Sequence, residues 1–272
     1  MDLLSFTGQP LERLYDYLIA TGFSLARMSG LIMVMPAFTR MGLTGILRGA
    51  TALVLALPLV PMMVAAIAGE RLTVAILTGL LFKEVVVGLA IGLVLGVPIW
   101  AAEAAGNVLD LQRGLSAAGL FDPSATTEES IAGTLFGLIM VALYFSSGGL
   151  QLTLRTVYDS YALWPAANAL PSFSPAASDF FLGLLDNVMT MGLVLVAPIV
   201  VFMLLSDILL GLVSRAAPHL NVFALSLSTK NLVFALLIVL YCAFLIRYMG
   251  SDLSSLLGAG SELESLAKPS SR

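Results

Sequence analysis

The chain has 272 residues, 59% of them apolar and 11% charged, with a mean hydropathy of +0.99. Ordinary soluble domains carry about 25% charged residues, so this composition excludes one or two soluble domains and points to an all-α integral membrane protein. Its 13 basic and 17 acidic residues give a net charge of −4 with no basic run, which leaves no nucleic-acid surface, and the single Cys242 excludes a disulfide framework or a multi-cysteine metal site.

Several apolar runs exceed the roughly 20 residues that cross a bilayer as helix. Met1 to Pro10 holds Asp2 but no lysine or arginine, so the basic region of a cleavable signal is missing and the first run is expected to stay. That run extends from Tyr17 to Met35, contains Arg27 and stops at Pro36. An arginine there is expensive unless it faces protein or water, so it either points into a subunit interface or snorkels to a headgroup. Leu43 to Ala68 forms the second run, which Pro58 and Pro61 predict to be kinked or broken. After a polar turn, Gly69-Glu70-Arg71, the third run covers Leu72 to Ala102. Lys83 and Glu84 lie near its middle. Adjacent residues on a helix do not face each other, so each is expected to meet a partner elsewhere. Gly88, Gly92 and Gly96 follow at spacing four, a pattern that lets helix backbones approach closely, although glycine is common in membrane helices generally. Pro98 and Trp100 are expected to close the run.

The longest polar interruption is Gly106 to Pro123, which gathers Asp110, Gln112, Arg113 and Asp122 with Gly106, Gly114 and Gly119. Irregular chain survives in such a protein at a surface, inside protein or beside a water-filled cavity. Two readings stand open here: a loop that lines or blocks a passage, and a solvated connector. Thr126 or Thr127 is expected to cap the next helix. The run from Ile131 to Leu154 has a weak point at Ser146-Ser147-Gly148-Gly149. Residues 155–179 read as a polar connector, with Tyr158, Tyr161 and Trp164 as membrane-interface anchors. Phe180 to Val213 is long for one span and contains Asp186, Pro198 and Asp207, which fits a bent helix or a tight hairpin. Leu232 to Tyr248 is the last run, in which Cys242 reads as a small buried filler. These runs make residues 1–249 one helical membrane domain, built of long, broken helices arranged as hairpins, and leave 250–272 as a flexible tail.

With six spans, Arg13, Arg71, Arg155, Arg247, Lys268 and Arg272 fall on one side, and Arg40, Arg48, Arg113, Arg215 and Lys230 on the other. The usual positive-inside bias is nearly absent. Together with Arg27, Lys83, Glu84, Asp186 and Asp207 in apolar stretches, this fits helices shielded by other protein, with ordinary polytopic insertion as the alternative.

The second polar constellation runs from Arg215 through Pro218, His219, Asn221 and Phe223 to Lys230. His219 is the only histidine, and no hydrolase, metalloprotease, nucleotide-binding or dinucleotide motif occurs, so no cofactor, metal or catalytic residue is assigned. Taken together, the two constellations resemble the export-apparatus subunit called T in virulence type III secretion and R in the flagellar system, the SctT/FliR family. The residues that carry the resemblance are Gly106-x-x-x-Asp110-x-Gln112-Arg113-Gly114, Phe121-Asp122-Pro123, and Arg215-x-x-Pro218-x-Leu220-Asn221-Val222-Phe223 with Lys230 downstream. The order of the apolar runs agrees over all but the tail. The first motif and the Asn-Val-Phe form look more like the injectisome branch. Leu227-Ser228-Thr229-Lys230 departs from the Met-Pro-Ile-Lys ending expected there.

The resemblance implies a subunit of a helical, multi-subunit export gate in the bacterial inner membrane, within the secretion-system basal body. Its implied partners are the P/R-type, Q/S-type and U-type export subunits, with unfolded secreted proteins as the transported substrate. The loop 106–123 would be a plug that closes the pore, with Gly106, Asp110, Gln112, Arg113, Gly114, Gly119, Phe121, Asp122 and Pro123 as its gate residues. Gly88, Gly92, Gly96, Lys83, Glu84, Arg215, Pro218, Asn221, Phe223 and Lys230 would pack against sister subunits. Two competing classes are a stand-alone small-solute transporter and an intramembrane enzyme using Lys83 and Glu84 with Asp186 or Asp207.

Overall fold

The computed structural model describes residues 3–67, 73–114, 130–166, 168, 177–217, 219 and 221–255. Every regular element among them is helical: α1 (Leu3–Val34), α2 (Pro36–Thr39), α3 (Gly45–Ala56), α4 (Val60–Ile67), α5 (Val74–Gln112), α6 (Ile131–Ser146), α7 (Gly149–Leu163), α8 (Ala177–Ala216) and α9 (Val222–Ser255). Helices satisfy their backbone groups internally, which is what an apolar chain in lipid requires. Five of these stretches are long and apolar enough to cross a membrane, or six if α6 and α7 count as one broken span.

Breaks fall where the backbone chemistry puts them. Pro58 sits in a 3₁₀ turn, Leu57–Leu59, between α3 and α4. Gly148 separates α6 from α7 with a φ of 83°, a conformation that glycine adopts without a steric cost. Several expectations change. α5 runs straight through Pro98 and on to Gln112, so the third apolar run and the first seven residues of the polar interruption are one 39-residue helix. α8 is a single 40-residue helix with Pro198 inside it, not a hairpin. α7 takes in residues 155–163 of the expected connector. α9 runs to Ser255, so the tail from Gly250 begins helical.

The sequence reads as one domain over 1–249. The packing groups the chain into two compact units, one drawn from residues 1–96 and 147–182, the other from 97–146 and 183–255. In the first unit α1 packs on α3 and α4, burying Phe23, Met28, Leu31, Leu59 and Met63. α5 approaches α1 closely through glycines. A Cβ on Gly92 would lie 2.8 Å from Leu31 O, and one on Gly88 would overlap Arg27 O. In the second unit a Cβ on Gly106 would collide with the backbone of Ala132 and Gly133, and one on Gly192 would come within 2.8 Å of Ala101 O. Leu109, Phe136, Met140, Tyr144, Val196 and Met203 form its buried interior.

Candidate functional site

In the second unit the polar interruption is organised by one carboxylate. Asp110, 3% exposed, sits near the C-terminal end of α5. Its Oδ1 accepts from Arg113 Nη1 at 2.9 Å, a pair that spacing three brings onto one helix face. Its Oδ2 accepts from Ser130 Oγ at 2.8 Å and from the Ala132 backbone N–H at 2.9 Å. Ser130 Oγ in turn accepts the Gly133 N–H at 2.8 Å, which makes Ser130 the N-cap of α6. A negative charge is favoured at that end of a helix. Asp110 thus ties the end of α5 to the start of α6, the two places where the segment 115–129 leaves and rejoins the described chain.

Arg113 extends the network to α9. Its Nε donates to Asn231 Oδ1 at 3.0 Å, and its guanidinium lies 4.1 Å from the centre of the Phe234 ring. Gly114 follows with a φ of 80°, and its N–H bonds Leu111 O at 3.1 Å, closing the helix end. Gly106 and Gln112 are helical, not part of a loop, and Gly106 serves close packing of α5 on α6 instead of backbone freedom. Gly119, Phe121, Asp122 and Pro123 lie outside the described residues, as do Thr126, Thr127 and Pro218.

The second constellation splits. Lys230 Nζ pairs with Asp207 Oδ2 at 2.7 Å, and Ser226 Oγ donates to Asp207 Oδ1 at 2.6 Å, which joins α9 to α8 inside this chain. Asn221 Oδ1 accepts the Ala224 N–H at 3.2 Å and caps α9. Arg215 and Phe223 are exposed, as is Cys242, which is therefore not a buried filler of this chain.

In the first unit Glu84 and Lys83 each meet a distant partner, as expected, Glu84 at Arg27 and Lys83 at the carbonyls of residues 165, 166 and 168. The two also lie beside each other, and Arg27 is satisfied within the chain and not at a subunit interface. All three are buried. Arg27 Nε donates to Glu84 Oε2 at 2.6 Å, Nη1 to Ser160 Oγ at 2.8 Å and Nη2 to Trp164 O at 2.9 Å, while the Tyr161 ring centre lies 3.5 Å from the guanidinium carbon. Tyr161 and Trp164, read from sequence as interface anchors, are buried here at 4% and 2% exposure. Lys83 Nζ lies 3.0 Å from Glu84 Oε1, an ion pair without hydrogen-bond geometry. Gly88, Gly92 and Gly96 are likewise buried in their own chain, the first two against α1. Sequence reasoning missed Ser130, Ser160 and Asn231. Only Ser130, the last polar residue before an apolar run, had a local signal.

Residues 18–256 match the family described as bacterial export proteins, family 1. The chain is 36% identical over 173 residues to Yop proteins translocation protein T of Yersinia pestis, covering 64% of this chain and 65% of that protein, so it spans just under two thirds of that relative's length. It is 32% identical over 223 residues to surface presentation of antigens protein SpaR of Salmonella typhimurium, covering 82% and 81%. To the flagellar biosynthetic protein FliR of Bacillus subtilis it is 33% identical over 162 residues, covering 59% and 62%.

Proposed function

The chain belongs to the bacterial export proteins of family 1, a type III secretion export family, and from that premise we propose that it is a core subunit of the export gate, helping to form and to close the inner-membrane pore through which unfolded proteins leave. The observation that carries this reading is the uneven covering of its helices. Of the apolar stretch of α5, 72% is buried within the chain, against 28% for α8 and 11% for α9. At 1.5 Å per residue α8 is about 60 Å long, twice the roughly 30 Å hydrocarbon core, so lipid alone does not account for its uncovered apolar face. Sister subunits of the P/R, Q/S and U types are the proposed cover.

The plug assigned to 106–123 remains a proposal. It is supported by the anchoring of both its roots: Asp110 and Arg113 secure the departure from α5, and Asp110 with Ser130 the return into α6. Those bonds fix the two helix ends between which the proposed plug runs. The proposed role is conduit and closure; two carboxylates of the competing enzyme reading, Asp207 and Glu84, are engaged in ion pairs with Lys230 and Arg27.

Purification of the tagged chain in mild detergent tests the reading. Small hydrophobic export subunits are expected to co-purify in fixed ratio. A chain that is monodisperse alone and stabilised by a small solute overturns it in favour of a transporter.

A further inference from the structure

The buried cluster of the first unit holds two cations and one anion, so as a set Arg27, Lys83 and Glu84 carry a formal charge of +1. An uncompensated charge in such surroundings is costly, and something has to offset it. Glu84 Oε2 is taken by Arg27 Nε. Lys83 Nζ shares that one carboxylate, 3.0 Å from Glu84 Oε1, and gives its hydrogen bonds elsewhere: to Pro165 O at 2.7 Å, Ala166 O at 2.9 Å and Asn168 O at 3.1 Å. An ammonium has three N–H donors, and here each has a backbone carbonyl. Trp164 O, bonded to Arg27 Nη2, adds a fourth carbonyl from the same short segment.

Those carbonyls follow the last turn of α7, where the helix leaves its partial negative charge. The carbonyls of residues 164, 165, 166 and 168 therefore act as the second counter-charge of the cluster. They are drawn to the cluster by the lysine, and the lysine is tolerated in the interior because they are there. From this we infer that Lys83 is a positioning residue, an electrostatic latch whose ammonium, seated in a cage of backbone carbonyls, fastens the chain leaving α7 onto α5. The Arg27–Glu84 pair forms a neutral unit that holds α1 to α5 independently of it.

The two roles separate in experiment. Lys83→Met keeps the volume and leaves a neutral Arg27–Glu84 pair, so the latch is removed and the core is kept. Ala166 is 2% exposed. In the full chain carrying Ala166→Cys and Cys242→Ser, a hydrophilic maleimide is expected to label position 166 slowly. With Lys83→Met added, labelling is expected to become at least about tenfold faster, the ratio that corresponds to about 1.4 kcal/mol of local opening, with little change in the melting temperature of the whole protein. Labelling at the original rate overturns the latch, and so does faster labelling that only tracks a collapsed melting temperature. If Lys83→Met does not accumulate, Lys83→Ala produced and purified in methylammonium chloride decides. That ion fits the vacated cage, so better recovery than in sodium chloride supports the latch; equal recovery in the two salts, including none in either, overturns it.

Discussion

Glu84 is the single anion serving two buried cations, and this makes the three charged positions unequal. Arg27→Met leaves a neutral Lys83–Glu84 pair, whereas Glu84→Gln leaves two buried positive charges facing each other. Breaking a buried pair so as to strand a charge costs about 3–5 kcal/mol. Glu84→Gln is therefore expected to lower the thermal midpoint of the detergent-solubilised chain well below that of Arg27→Met, as followed by circular dichroism; equal losses would contradict the charge arithmetic. Asp110 obeys a similar rule with milder consequences. Asp110→Ala leaves the Ala132 N–H and Arg113 Nη1 without the carboxylate that accepts from them, at about 1–3 kcal/mol for each buried group left unsatisfied. Asp110→Asn retains an acceptor for Ser130 and Ala132 and is expected to unfold at a higher temperature than Asp110→Ala. Asp110 and Arg113 stood out in the sequence as gate residues of a loop, and only the extension of α5 to Gln112 puts their spacing of three to use as a pair. Arg113's second partner, Asn231, stands 118 residues away, and no local pattern announces it. The charges of Lys83 and Glu84 were legible as anomalies, but not as a pair. The rule that helix neighbours diverge holds for short side chains, and the long lysine stem folds back to bring Nζ beside the carboxylate.

Among the elements, glycine position decides which helices touch. Gly88 and Gly92 face α1 of the same chain at backbone contact, so the spacing-four pattern builds this chain's own core before any assembly. Gly92→Leu is expected to block the α1–α5 approach and to abolish accumulation of the chain even when it is expressed without partners. Normal yield of the lone chain, with only the complex lost, would return those glycines to a subunit interface. Prolines divide by context. Pro58 marks a 3₁₀ break, whereas Pro98 and Pro198 lie inside uninterrupted helices. A proline removes one backbone bond, and neighbouring helices in a membrane protein compensate for that loss. Sequence periodicity cannot see such neighbours, which is why α5 extends ten residues past the end expected for it.

For the molecule as a whole, the proposed closure of a pore makes a conductance prediction. Deleting Leu115 to Gly119 removes chain between two roots held by Asp110, Arg113 and Ser130, so the complex is expected to assemble while resting cells become permeable to ions and small solutes. Unchanged permeability with normal assembly would count against a plug. The sequence by itself determined that this is an apolar, helical, multi-span member of an export family, because hydropathy, run length and two polar motifs are local properties of the chain. Only the tertiary structure decided that Arg27, Lys83 and Glu84, and Asp207 with Lys230, find their partners within the chain, that Gly88 and Gly92 close on α1, and that the first part of the polar interruption is the end of a long helix. Those outcomes depend on groups far apart in sequence, where packing and electrostatics select the partner and spacing carries no information.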